Sequence, residues 1–565
     1  MVKWVSKHQG EVGEEIIIRN KRIPAVIVEI LKNRGYKTPE AIEKFFAPSV
    51  ADLYNPFLMK NMEVAVDRII KAIERKERIL IHGDYDTDGI TALALLYRNL
   101  KRFDLSIDYY IPHRLLEGYG VSKSGIDYAA HNGCSLIISV DCGVTAFEEL
   151  SYARSKNIDV IVCDHHNPKS ELPPALAILN PKLPECSYPF KELAGVGVAF
   201  KFLQGLFQRM NLDENELFSD LDLVALGSVV DVVPLIDENR FLVKLGLKKM
   251  SKSKKAGIQA LIKVSGLNGE LTAYHLGFII GPRINACGRL RDAKSAIELL
   301  LTDDPIKAMN LAQELSEDNQ KRQQIEEEIL QEAKQIIETR MLQEKRVIVV
   351  GKENWHEGVV GIVASRIIEE YARPAIVFSL KQETAKGSAR SVSGFDIAQA
   401  LEFCSDLLIK FGGHKQAAGL EIARKNLDDF EKKINLYAQN FDEIIFTKKH
   451  YYDIKLDLNE ITDDVVYFLK FFEPTGMENP QPVFLGEDFE VVGVPMVVGK
   501  KHLKFSLRKN KKVFPAIAFY HADKILNIIP GKTRIDCLYT IFEDTLVGKK
   551  KNVLKIKELK NVETD

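Results

Sequence analysis

Three short apolar runs between residues 62 and 180, each ending in aspartate or histidine, constrain this chain more than any other feature. Arg78-Ile79-Leu80-Ile81-His82 runs into Gly83-Asp84-Tyr85-Asp86-Thr87-Asp88-Gly89, Ser135–Val140 into Asp141, and Asp159–Cys163 into Asp164-His165-His166. Ser106–Ile111 supplies a fourth run, and the stretches Thr91–Arg102 and Phe147–Lys156 between them carry helical spacing. Short continuous apolar strands alternating with helices of about ten residues predict a parallel sheet covered on both faces. In such open α/β sheets ligands bind in the crevice beyond the strands' carboxyl ends. The acidic and histidine residues all fall there.

Aspartates 84, 86 and 88 gather on one turn beside His82. Short like-charged side chains repel at close range, and a bound cation relieves the cost. Hard oxygen donors with imidazole suit Mn²⁺ or Mg²⁺. A calcium loop of the EF-hand kind would need Glu at position 95, where Leu95 stands. A lone Asp after a strand commonly caps a helix. Asp141, the 164–166 triplet and Asp231, which follows the apolar Gly227–Val230, together supply ligands for two octahedral cations. A pair of cations about 3.5–4 Å apart activates a water and stabilises the leaving oxygen of a phosphate ester.

Residues 195–300 read as mostly helical, followed by a long polar helix at about Ile306–Glu344 whose Leu311, Leu315, Ile325, Ile329, Ala333 and Ile336 fall near helical spacing. A helix this polar often spans between domains. A second α/β unit opens at Arg346–Val350, and the tail from about Tyr451 reads as a small β-barrel or sandwich. A short amphipathic helix is expected at Pro24–Arg34. Seven scattered cysteines without a C-x-x-C pair exclude a disulfide framework and zinc-finger spacing, so a cytoplasmic setting is expected. No apolar stretch suggests a membrane span. The net charge of −1 hides an asymmetry, since residues 500–565 carry 16 Lys+Arg against 7 Asp+Glu. The basic run around Lys504 and Arg508, interleaved with Leu503, Phe505 and Leu507, suits a single-strand platform.

The segments HGDYDTDGITA (82–92), IPHRLLEGYG (111–120), SVDCGV (139–144), VCDHH (162–166), LAGVGVAFK (193–201), LVALGSVVDVVPL (223–235), GPRINACGRL (281–290), GSARSVSGFD (387–396) and FGGHKQAAG (411–419) resemble the DHH phosphoesterase superfamily. Over about residues 10–560 the chain resembles its single-stranded-DNA-specific exonucleases. The resemblance implies a DHH catalytic domain (61–300) behind an N-terminal segment (1–60). It further implies a connecting helix (301–345), a DHH-associated substrate-binding domain (346–445) and an OB-like barrel (446–565). It implies two divalent cations, Mn²⁺ or Mg²⁺, one held by His82, Asp86 and Asp141 and the other by Asp88, Asp141, His165 and Asp231. Asp84 is an extra acid, a ligand or a support; Asp164 and His166 orient His165 or contact the scissile phosphate. Gly412, Gly413 and His414, in loops, together with Ser388, Arg390 and Arg283, are the expected phosphate binders. The implied reaction is 5′→3′ release of mononucleotides from single-stranded DNA in recombination and repair, by a monomer working with single-strand-binding protein and a RecQ-type helicase. A phosphodiesterase for short oligonucleotides would lack the basic tail, and a nuclease-dead scaffold would have lost metal ligands. The chain departs from the family pattern at Gly476-Met477-Glu478-Asn479-Pro480, where a second Gly usually precedes Asn-Pro.

Overall fold

The computed structural model describes residues 3–8, 13–114, 116–544 and 551–562. Its first sheet is all parallel. Strands β1 (Arg78–His82), β2 (Ser106–Tyr110), β3 (Leu136–Val140), β4 (Asp159–Cys163) and β5 (Ala177–Leu179) lie in the order β2-β1-β3-β4-β5. Helices α1 (Thr87–Leu100) and α2 (Gly195–Arg209) pack together, and Leu93, Leu96, Phe200 and Leu203 join strand residues Ile79 and Ile138 in one core. Helix α3 (Leu221–Val230) packs on α1 and ends at Asp231, while α4 (Gly281–Leu290) lies beside both.

Helix α5 (Pro305–Thr339) is 35 residues long, about 52 Å at 1.5 Å per residue. Asp304 caps it, accepting from the Ile306 and Lys307 amides, and Pro305 occupies its first position. Ala308, Ala312 and Leu315 are buried in the first core; Ile329, Leu330, Ala333 and Ile337 are buried with Val350, Val363 and Val377 of the next unit. One helix therefore contributes to two hydrophobic cores, which fixes the units against each other.

That next unit holds β6 (Ile348–Glu353), β7 (Ala375–Leu380), β8 (Thr384–Arg390), β9 (Leu408–His414) and β10 (Ala417–Ala423), in the order β9-β10-β8-β7-β6. Only β6 and β7 are parallel. Gly412, Gly413 and His414 thus belong to a paired strand, correcting the expectation of a loop.

The C-terminal unit is a closed barrel of five strands. Strands β11 (Phe484–Val498), β12 (His502–Lys509), β13 (Lys512–Ala518), β14 (Arg534–Asp544) and β15 (Lys551–Asn561) pair in the cycle β11-β12-β13-β15-β14, with β14 returning to β11. Closure removes the sheet's free edges. The N-terminal segment packs onto this barrel. Helix Ala25–Asn33 buries Ile27, Val28, Ile30 and Leu31 against Phe472 and Phe484, and Lys3–Ser6 pairs in parallel with Lys449–Tyr452. The turn at the family departure holds Glu478 at φ 55°, the left-handed region glycine favours. Its Met477 carbonyl accepts from the Leu235 amide at 2.9 Å, joining the barrel to the loop that follows Asp231. Among the described residues no helix is long and apolar enough to cross a membrane.

Candidate metal centre and phosphate cleft

The first sheet ends in a buried nest of acids. Asp86 caps α1, its Oδ1 accepting from the Asp88 and Gly89 amides at 2.9 and 3.1 Å. Asp88, one residue inside the helix, accepts from the Gly195 and Val196 amides at 2.6 and 2.8 Å, so the start of α2 holds it. Gly195 must lack a side chain, because a Cβ there would lie 2.7 Å from the Asp141 Cβ. Asp141 itself takes φ 59° directly after β3.

His165 Nε2 lies 3.1 Å from Asp141, 3.5 Å from Asp231 and 3.9 Å from Asp88. Three sets of potential ligand atoms each lie within 4.8 Å of one another: Asp88, His165 and Asp231; Asp84, Asp86 and Asp141; and Asp141, His165 and His166. His82 belongs to none of them. It is buried, with Nε2 facing the Ser122 amide at 3.4 Å and its ring against Tyr110.

Electrostatics favours a cation. Burial, and then the neighbouring carboxylates, push Asp84, Asp88, Asp141 and Asp231 well above the ordinary carboxylate range. Burial holds His82 down to about 4 and His165 down to about 3, so both imidazoles are neutral. His82 Nδ1, Asp84 Oδ1, Asp141 Oδ1 and His165 Nε2 are buried without a hydrogen-bond partner. Orphaned acceptors of this kind, mostly hard oxygens with neutral imidazole, fit Mn²⁺ or Mg²⁺. Asp164 has a different part. Burial raises it, but its contacts with His166 and the Val144 amide outweigh that and bring it down to about 2. Its Oδ1 accepts from the His165 and His166 amides and holds His166 Nδ1 at 2.7 Å.

Beside the acids, Arg114, Tyr119, Asn285 and Arg289 line the same pocket, of about 280 Å³. Asn285 Oδ1 accepts from both the amide and the hydroxyl of Thr87 at 2.8 Å, tying α4 to α1. Tyr119 donates to the Asp141 carbonyl at 2.8 Å. At the pocket's border, burial and the nearby Arg114, Arg322 and Arg390 bring Arg289 down to about 10. A second cleft of about 520 Å³ opens on that border, lined by Tyr85, Arg114, Lys386, Ser388, Lys410 and Gly412 among others. Arg390 donates to Ser388 Oγ at 3.0 Å at its edge.

Arg283 lines neither cleft; its Nη1 donates to the Ile279 carbonyl, and Arg289, six residues on in the same motif, stands at the acids instead. Gly413 and His414 are exposed next to Gly412, outside the lining. Lys504 and Arg508 lie on barrel strand β12, where Arg508 pairs with Glu490 through two hydrogen bonds of 2.6 and 3.1 Å. Arg114 and Arg289 were not legible as site residues. One signal was available for Arg114, a basic residue just beyond the carboxyl end of β2.

The chain matches the DHH family, N-terminal domain, over residues 78–228, the DHHA1 domain over 344–440 and the RecJ OB domain over 452–558. It is 37% identical to the single-stranded-DNA-specific exonuclease RecJ of Bacillus subtilis over 99% of this chain and 70% of that protein. With the Escherichia coli exonuclease of the same name it shares 37% identity over 85% of this chain and 86% of the relative. The crystal structure of RecJ in complex with Mn²⁺ from Thermus thermophilus superimposes with a TM-score of 0.83 at 30% identity, covering 96% of this chain and 76% of the other. A complex of the same protein with Mg²⁺ is also similar, with a TM-score of 0.75 at 28% identity over 96% of this chain and 75% of that one.

Proposed function

Since this chain belongs to the RecJ family of single-stranded-DNA-specific exonucleases, we propose that it removes mononucleotides from single-stranded DNA in the 5′→3′ direction, using two divalent cations. The observation that carries this reading is the continuity of the two clefts, one walled by the aspartates and the other by Arg114, Lys386 and Lys410 together with Glu357 and Glu421, which share Tyr85 and Arg114.

Asp86, Asp88, Asp141, His165 and Asp231 would hold Mn²⁺ or Mg²⁺, with Asp84 and His82 as further donors. When bound, such cations activate water and offset charge on a phosphate ester. The protein's own groups do the rest. Arg114, Arg289 and Arg390, with Ser388, bind the 5′-terminal phosphate through charge-assisted hydrogen bonds. Anchoring that end places the next ester over the acids, which sets both polarity and product size. Asp164 orients His166, whose raised pKa keeps a proton available for a phosphate oxygen: burial lowers it, but the Asp164 contact outweighs this. The barrel carries the downstream strand on its basic face, and single-strand-binding protein and a helicase supply such strands in a cytoplasmic repair setting.

Single-stranded and blunt duplex DNA, labelled at either end and incubated with Mn²⁺, distinguishes the readings. Mononucleotides released first from the 5′ end of single strands support this one. Hydrolysis restricted to dinucleotides would replace it with an oligonucleotide phosphodiesterase.

A further inference from the structure

Tyr274 and Phe278 are 62% and 72% exposed, and their rings stack with centroids 5.1 Å apart at 25°. One exposed ring on a protein surface needs no explanation. Here, however, the backbone is built to present the pair. Residues Leu276–Ile280 form a π-helical turn, a rare geometry frequent at functional sites. The turn is pinned on its inner side: Leu276 and Ile280 are buried, and a Cβ on Gly281 would lie 2.2 Å from Val230. Val230 and Asp231 line the acidic pocket, so the aromatic pair sits on an element packed directly against the end of the helix that carries Asp231.

A cation is tied to the same turn. The Arg283 guanidinium donates to the carbonyl of Ile279, the neighbour of Phe278, and its buried Nε has no partner. Among the described residues no carboxylate pairs with it, and burial alone lowers its pKa. An aromatic ledge on the same turn as a cation without a counter-charge matches what a nucleotide offers, a π-face and a phosphate.

We propose that Tyr274 and Phe278 form a stacking ledge for a base of the single-stranded substrate, with Arg283 taking the adjoining phosphate. This subsite rests on the single-strand nuclease reading and adds to it a contact at the rim of the catalytic domain, apart from the barrel. It reads bases without sequence preference, because every base has a π-face.

The test is binding of the full-length chain in chelator to a dye-labelled oligothymidylate and to a fully abasic strand of equal length, by fluorescence anisotropy. Phe278→Ala and Tyr274→Ala are each expected to weaken binding of the base-bearing strand about tenfold and to leave abasic-strand binding unchanged, while Phe278→Trp restores it. Equal affinity of Phe278→Ala and the unaltered chain for oligothymidylate would overturn the ledge, as would an equal loss on the abasic strand. An unaltered chain that binds no single strand in chelator and cleaves none with Mn²⁺ overturns the nuclease reading, and the ledge with it.

Discussion

Asp141→Asn should make the cation-free protein more stable and the cation-loaded protein less so. Asp141 is buried among Asp84, Asp88 and Asp231, and its pKa is driven up by burial and then by those neighbours. Its potential ligand atom lies within 4.8 Å of those of Asp84 and Asp86. At an effective dielectric constant of about 20, two unit charges at that separation repel by about 3.5 kcal/mol. The native state escapes part of this by holding protons. A carboxylate whose folded pKa is raised contributes stability below its unfolded pKa and loses it as pH rises through the folded value. The amide has no such loss, so the variant's advantage grows with pH, to about 2 kcal/mol in mildly alkaline chelator. Asn also tolerates the left-handed φ of 59° at this position. Cation reverses the order, since a ligand present at 100 times its Kd stabilises by about 2.7 kcal/mol. Thermal unfolding with chelator and with Mn²⁺, at about pH 6 and about pH 8, reads both effects. A variant less stable than the parent in chelator, or one that keeps the full Mn²⁺ shift, would refute the electrostatic account of the cluster.

Arg289→Ala should cut the preference for 5′-phosphorylated over 5′-hydroxyl ends by about 10- to 100-fold, the worth of one charge-assisted contact; undiminished discrimination in competition cleavage would remove Arg289 from the proposed phosphate binders. Glu478→Gly relieves a left-handed non-glycine residue and should stabilise the chain by about 1 kcal/mol in urea unfolding; no gain would show that Glu478 makes a compensating contact. In the barrel, Glu558 faces His521 and His450 at 3.6 Å each and Lys524 at 3.1 Å, and is held down to about 2, first by His521. That stability is present above the ordinary glutamate pKa and lost as pH falls through about 2. The raised His521 pKa, with Glu558 as first cause, adds stability that fades as pH rises through it. After discounting for solvent screening the group is worth about 1 kcal/mol, so Glu558→Gln should destabilise most at about pH 5. A loss independent of pH would point to packing instead.

Strands with buried faces on both sides were legible to within a residue, as Ser135–Val140 against the observed Leu136–Val140 shows. Arg78–His82 and Asp159–Cys163 stand where the sequence puts them, because unbroken apolar runs end abruptly in charge. β5 has no signature in the sequence: Ala177–Leu179 is too short to carry a pattern. Helix α1 begins at Thr87, four residues before the expected Thr91, because Asp86 is a helix cap as well as a candidate ligand. The acids were readable as a cluster, since like charges at such density need a reason. Their neighbours Arg114 and Arg289 were not. Arg289 resembles any surface arginine until α4 folds against α1, and Arg283 in the same motif looks equally suited. The docking of helix Ala25–Asn33 on the barrel joins residues more than 400 positions apart and leaves no local trace.

If phosphate-binding arginines hold the 5′ end, the cut falls one nucleotide from it. The most direct measurement uses a 5′-phosphorylated single strand whose first internucleotide linkage is a methylphosphonate, incubated with the enzyme and Mn²⁺. The modified strand should stay intact while its unmodified counterpart is degraded. Release of a dinucleotide by cutting at the second linkage would contradict it.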